Sequence, residues 1–177
     1  MSATTWVALL RGINVGRNKR VAMADLRSLL ESLGYADVRT HLQSGNALFT
    51  SSAGEAELEA QITSRIESDL GLDVAVIVRR SDELAAVVDA NPFVERGVDQ
   101  KELHAVFLSA TPAEDLATLD HDDYAPDEFE VGERVLYLRL PGGVMASRLP
   151  DWARLLRGTI TQRSWKTVVR LRDLATG

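Results

Sequence analysis

The stretch Arg11 to Val21, RGINVGRNKRV, carries four basic side chains, two asparagines and no acid, in a chain whose net charge is −6. Glycines that let the backbone approach closely, flanked by guanidinium and ammonium groups, are the components of an anion site. A second stretch, Gln43-Ser44-Gly45-Asn46, offers neutral donors and acceptors of the kind that orient a polar ligand. Candidate ligand-binding residues are therefore Arg11, Gly12, Asn14, Gly16, Asn18 and Lys19, together with Gln43, Ser44, Gly45 and Asn46. Arg17 and Arg20 add further positive charge to the first stretch. The same residues also fit a plainer role. In that reading a solvated loop ends a strand, its glycines serve turns and its cations offset nearby acids.

Neither stretch is a named phosphate motif. Gly12 and Gly16 are followed by no Lys-Ser or Lys-Thr and lack P-loop spacing, and GxGxxG is absent. Catalytic constellations are missing as well. With zero cysteines there is no thiolate nucleophile, no disulfide and no cysteine-ligated zinc. His41 and Ser44 would fall on opposite faces of a strand, and no acid is placed to orient the imidazole. His41, His104 and His121 share no ligand spacing. Asp120, His121, Asp122 and Asp123 have the composition of a hard-metal cluster. They lack the spaced ligands and glycine of an EF-hand loop, so they read as a solvated acidic loop. No catalytic residue is assigned, and no metal or cofactor is expected.

The elements that must position the two stretches follow from hydrophobic period and punctuation. WVALLR is nearly continuous in apolar character, as a covered central strand requires. A helix with Leu26, Leu29, Leu30 and Leu33 at helical spacing begins near Val21 and stops at Gly34. VRTHLQ alternates, with Val38 and Leu42 inward and Arg39, His41 and Gln43 outward. Ser44 and Gly45 read as a two-residue hairpin turn into NALFT. A helix from Glu55 to Leu70, ended by Gly71, then the strand VAVIV and the short helix SDELAAVV give the order βαββαβα.

After the loop-like NPFVERGVDQ the order restarts. LHAVFL is a strand, and TPAEDLATL reads as a helix with Thr111 as N-cap, Pro112 in its first turn and Glu114 as capping-box partner. EFEV and RVLYLRL flank Gly132 and Glu133 as a hairpin. A helix around Asp151 to Arg157, a short strand near Thr159 to Thr161 and a Ser164-capped helix, SWKTVVRLRDL, follow. The expected fold class is α/β, α+β in strict terms, with two tandem ferredoxin-like halves divided at residues 1–91 and 92–177. In the split-βαβ arrangement the first and third strands are antiparallel neighbours at the sheet centre. The loop after WVALLR, the QSGN turn and the first helix's N-terminus should then share one edge.

ALLRGINVG, VAMADLRSLLESLGYADVRTHLQSGNALF and TQRSWKTVVRL together resemble the DUF1697 family, bacterial proteins of uncharacterised function. The similarity runs along most of the chain and is most specific in RGINVG and QSGN. Arg11, Gly12, Asn14 and Gly16 match the first motif, and Gln43, Ser44, Gly45 and Asn46 the second. Arg17 stands where relatives tend to have a glycine. In the late motif Arg163 and Trp165 match, with Ser164 in place of an asparagine. The resemblance implies a two-domain ferredoxin-like architecture and brings no established activity. Arg163 and Trp165 either pack within an amphipathic helix or reach the first half's site.

Composition bounds the partners. The halves carry equal charge, since residues 1–91 hold 9 basic and 12 acidic residues and residues 92–177 hold 11 and 14. An isoelectric point near 5.1 disfavours nucleic-acid binding over the whole surface. No apolar run reaches membrane-helix length and no signal-peptide pattern opens the chain, so a cytoplasmic protein is expected. The leading expectation is a protein that binds a small phosphate- or carboxylate-bearing ligand at RGINVG and QSGN. The alternatives are an enzyme of phosphoryl or acyl transfer or hydrolysis using that pocket, and a nucleic-acid module. Oligomeric state is not legible.

Overall fold

The computed structural model describes residues 2–112 and 114–177. The chain forms two compact units, residues 1–85 with 171–177 and residues 86–170.

In the first unit β1 (Thr4–Leu10), α1 (Met23–Ser32), β2 (Ala36–His41), β3 (Asn46–Ser51), α2 (Glu55–Leu70) and β4 (Val76–Arg80) follow in order, and α3 (Ser81–Asp89) begins the passage to the second. The sheet order is β2-β3-β1-β4, antiparallel throughout. This is the split-βαβ topology, with β1 and β3 at its centre. Period two sends Trp6, Ala8 and Leu10 of β1 with Ala47 and Phe49 of β3 to one face. There they pack with Leu26, Leu29 and Leu30 of α1 and Leu58, Ile62 and Ile66 of α2. Both helices stop at left-handed glycines, Gly34 and Gly71, the latter returning its N–H to the Glu67 carbonyl.

Three details of this unit differ from the sequence reading. The β2–β3 hairpin closes at His41↔Asn46, so its loop is the four residues 42–45 rather than Ser44-Gly45 alone. Leu42 therefore belongs to the turn and is exposed instead of pointing inward. The last strand begins at Val76, because the preceding Val74 and Ala75 are still in the approach, although Val74 is already buried in the core.

The second unit repeats the plan with β5 (Leu103–Leu108), β6 (Glu128–Gly132), β7 (Val135–Arg139) and β8 (Ile160–Ser164), in the order β6-β7-β5-β8. Its core gathers Val106, Leu108, Phe129, Leu136, Leu138, Trp152 and Ile160. The helix expected after β5 is replaced by 3₁₀ turns over Glu114–Thr118 and His121–Tyr124. Thr111 and Pro112 stand outside any regular element, and the Glu114 side chain expected to complete their cap lies outside the described residues. The final strand runs longer than read, to Ser164, since it pairs with β5 along five positions, from His104↔Ser164 to Leu108↔Ile160. The hairpin turn is Glu133-Arg134, one residue later than expected, with Arg134 in a left-handed conformation.

The segment NPFVERGVDQ is not a plain loop. Asn91 caps a one-turn helix, α4 (Pro92–Glu95), accepting from the Phe93 N–H at 3.0 Å, and Phe93 is fully buried. After β7 come a single helical turn, α5 (Trp152–Leu155), capped by Asp151, and α6 (Trp165–Thr176), capped by Ser164 through the Thr167 N–H and hydroxyl. No helix among the described residues is long and apolar enough to cross a membrane.

Candidate functional site

β1 and β3 are antiparallel neighbours, so the loop leaving Leu10 and the turn entering Asn46 emerge at the same end of the sheet. The Leu10 N–H donates to the Gly45 carbonyl and the Arg11 N–H to the Ala75 carbonyl, both at 2.9 Å. The root of RGINVG is thus held between the QSGN turn and the approach to β4. Gly45, at φ 90, lies against Ile13 so closely that a Cβ there would fall 2.7 Å from Ile13 Cδ1 and 2.9 Å from Leu10 Cβ. Ile13 is buried, and this is the apolar seam that joins the two motifs.

Asn14 closes the junction. Its amide N–H groups reach the Val21 carbonyl at 2.8 Å and the Gln43 carbonyl at 2.6 Å, and its Oδ1 accepts from the Val21 N–H at 2.9 Å. Both side-chain donors are consumed, so Asn14 shapes the loop and has no N–H left to offer a ligand. Asparagine tolerates the left-handed φ of 55 that this geometry requires. The Asn14 N–H also donates to the Lys19 carbonyl at 3.0 Å, and Val15 bridges Asn18 around the turn Gly16-Arg17, with Gly16 at φ 64. Residues 14–19 therefore form a small closed hairpin whose conformation is fixed from inside.

The facing turn is fixed likewise. Asn46 is buried and donates to the His41 carbonyl at 2.8 Å and the Ser44 hydroxyl at 3.0 Å. Ser44 thereby takes part in the turn's own hydrogen bonding. Gln43 keeps its side chain exposed while its carbonyl serves Asn14.

What this scaffold displays is charge. Arg11, Arg17, Lys19 and Arg20 are all exposed, and among the described residues none forms an ion pair with a carboxylate. Only Lys19 has a partner for its charged group, the Asp73 backbone carbonyl, 2.5 Å from Nζ. The sequence reading did not include Asp73 or Ala75 in the site, because their place is set by strand order. Three residues after Arg20, α1 starts at Met23 with Ala22 as an N-cap that makes no side-chain bond. Elsewhere the chain pairs its arginines, as in Arg139 with Glu102 and Glu128 at 2.9 and 2.7 Å. No group able to act as general base bonds to Asn14 or Gln43 among the described residues, and no cluster of metal-ligating side chains occurs there.

Arg163 and Trp165 belong to the second unit. Arg163 is buried on β8, donating to the Thr161 hydroxyl at 2.7 Å and the Gln162 carbonyl at 2.9 Å, and burial pulls its guanidinium down to about 10. Trp165 is buried against Tyr137, the ring centroids 6.2 Å apart and edge to face. The acidic run is a helical turn in which Asp120 caps the Asp122 N–H and His121 stacks on Phe129 at 4.2 Å. A cavity of about 620 Å³ beside β2, lined by Asp37, Arg39 and Thr50 and by residues 174–177, had no counterpart in the sequence reading. There the Arg39 guanidinium closes the end of α6, donating to the Leu174 carbonyl at 2.8 Å.

Tandem ferredoxin-like units with a pinned, cation-bearing β1–α1 loop define an α+β class of protein known by its fold. The chain belongs to the family described as protein of unknown function DUF1697, whose model matches residues 3–137 and so spans both motifs. A conserved bacterial protein from Streptococcus pneumoniae shares its fold, with a TM-score of 0.76 and 23% identity over 98% of this chain and 99% of that one. No curated protein matches the chain.

Proposed function

We propose that the junction of RGINVG and QSGN binds an anionic group, a phosphate or carboxylate, and that the chain is a binding protein rather than an enzyme. The observation that carries this reading is a set of exposed cations on a loop whose frame is held by its own hydrogen bonds. Four exposed cations sit on this one loop, and among the described residues none forms an ion pair with a carboxylate. The Asn14 and Asn46 amides make the frame, and Arg11, Arg17, Arg20 and the Gln43 side chain are the groups left to meet a ligand. The enzyme alternative gains nothing, because a pinned loop of permanent cations contains no proton acceptor.

The test is thermal stabilisation by inorganic phosphate, nucleotides, sugar phosphates and carboxylates, on the wild type and on Arg11→Ala and Arg17→Ala. A ligand at a hundredfold excess over its Kd stabilises by about 2.7 kcal/mol, a shift of several degrees. Shifts that vanish in the variants support the site. If no anion moves the wild-type melting temperature at millimolar concentration, the proposal fails.

A further inference from the structure

Two large apolar side chains stand exposed on either side of the Asn14–Gln43 bond, Val15 at 70% and Leu42 at 54%. Each adjoins one partner of that bond in sequence, so they are presented by one junction. Leu42 is the more telling. It is held at φ 62, a left-handed conformation that disfavours leucine and suits asparagine or glycine. Its side chain packs into no core that would offset that cost, since it is exposed. The backbone conformation belongs to the four-residue turn closed at His41↔Asn46, so the position would be filled more stably by asparagine. A strained, exposed leucine and an exposed valine, each next in sequence to a partner of the Asn14–Gln43 bond, share this junction with the exposed Arg11, Arg17, Lys19 and Arg20.

From this we infer that the junction docks an acidic peptide segment of a partner protein, with carboxylates on the arginines and an aliphatic residue between Val15 and Leu42. The inference rests on the proposed anion site and names what presents the anion. Charge complementarity selects the occupant. The chain's net charge of −6 repels a long polyanion at distance, whereas a short acidic stretch meets only the local cations. The exposed apolar groups are aliphatic, which suits an aliphatic anchor better than a stacked base. Arginine is also among the residues enriched at protein recognition surfaces.

The experiment uses the full chain and a fluorescein-labelled peptide that alternates glutamate pairs with single leucines, read by fluorescence anisotropy. Controls replace its glutamates by glutamine, or its leucines by serine, and an oligouridine of similar length serves as the nucleic-acid arm. The expected result is binding that each peptide change weakens about tenfold, the size of one good interfacial contact. Val15→Ser and Leu42→Asn should weaken it similarly, and Leu42→Asn should at the same time raise the melting temperature, which shows that the loss of binding is not a loss of folding. Peptide binding indifferent to Val15→Ser and Leu42→Asn would overturn the inference, as would tighter binding of oligouridine than of the peptide. If phosphate or a nucleotide stabilises the protein but the peptide does not bind, the anion site stands and the peptide partner is wrong. If neither binds, both readings fall.

Discussion

Asn14 donates from its side-chain amide to the Gln43 backbone carbonyl, 2.6 Å away and 29 residues along the chain. The bond joins two motifs that are remote in sequence, and the same amide exchanges two further hydrogen bonds with the Val21 backbone. Asn14→Ala removes all three, leaves a partly buried Val21 N–H unpaired, and puts alanine at a left-handed φ. At about 1 kcal/mol per bond, the expected loss is about 2–4 kcal/mol in urea denaturation. Faster amide exchange at Val21 and over residues 14–19 should accompany it.

Gly45 should be the least replaceable glycine of the pair of motifs. An alanine Cβ meets Ile13 and Leu10 below 3 Å at a φ of 90, whereas at Gly12 and Gly16 it meets nothing within 4 Å. Gly45→Ala is expected to cost about 3 kcal/mol, combining overlap and strain, against about 1 kcal/mol for Gly12→Ala or Gly16→Ala from strain alone. Denaturation midpoints of the three variants check the order. Trimming Ile13 should not restore Gly45→Ala, because the Leu10 Cβ contact and the backbone strain remain.

These two cases also mark how far the sequence can be read. The topology was legible: Trp6 to Leu10 is continuous in apolar character, the leucines of α1 repeat at helical spacing, and Gly34 and Gly71 stop their helices as written. From strand order the meeting of RGINVG and QSGN followed. The roles inside the junction did not. Asn14 reads as a donor to a ligand because nothing local shows that Val21 and Gln43 engage its amide, which is a tertiary fact. Leu42 reads as an inward strand residue because alternation carries on past His41, and only the register of the pair His41↔Asn46 moves it into a turn. In the second unit short 3₁₀ turns replace a helix, since Asp120 and its neighbours favour local caps over long helical runs.

Leu42→Asn is expected to stabilise the protein. Relief of a left-handed leucine is worth about 1 kcal/mol, or about 2–4 °C in a chain of this size. Calorimetry of the purified variant checks it. An unchanged or lower melting temperature would mean that the exposed leucine contributes contacts that outweigh its strain.

Stability should fall at both ends of the pH scale for separate reasons. Burial, with Glu57 nearby, pushes the Tyr35 hydroxyl up to about 12, and burial does the same for Tyr137. Both hydroxyls stay protonated in the folded chain while the unfolded chain ionises near 10, so stability is full below pH 10 and declines between 10 and about 12. Burial lowers His104 from its usual 6.5, so the unfolded chain takes up a proton first and stability declines as pH falls below that value. Urea midpoints across pH should show both limbs. His104→Phe is expected to flatten the acid limb near pH 6 without altering the alkaline one.

The most direct test of the anion site is a ¹⁵N-resolved amide titration of the full chain with inorganic phosphate and with citrate. Saturable shifts confined to Gly12, Ile13, Gly16, Arg17 and Gly45, and abolished by Arg11→Ala with Arg17→Ala, are the predicted result. Shifts absent at millimolar anion, spread over the surface, or unchanged in the double variant would contradict it.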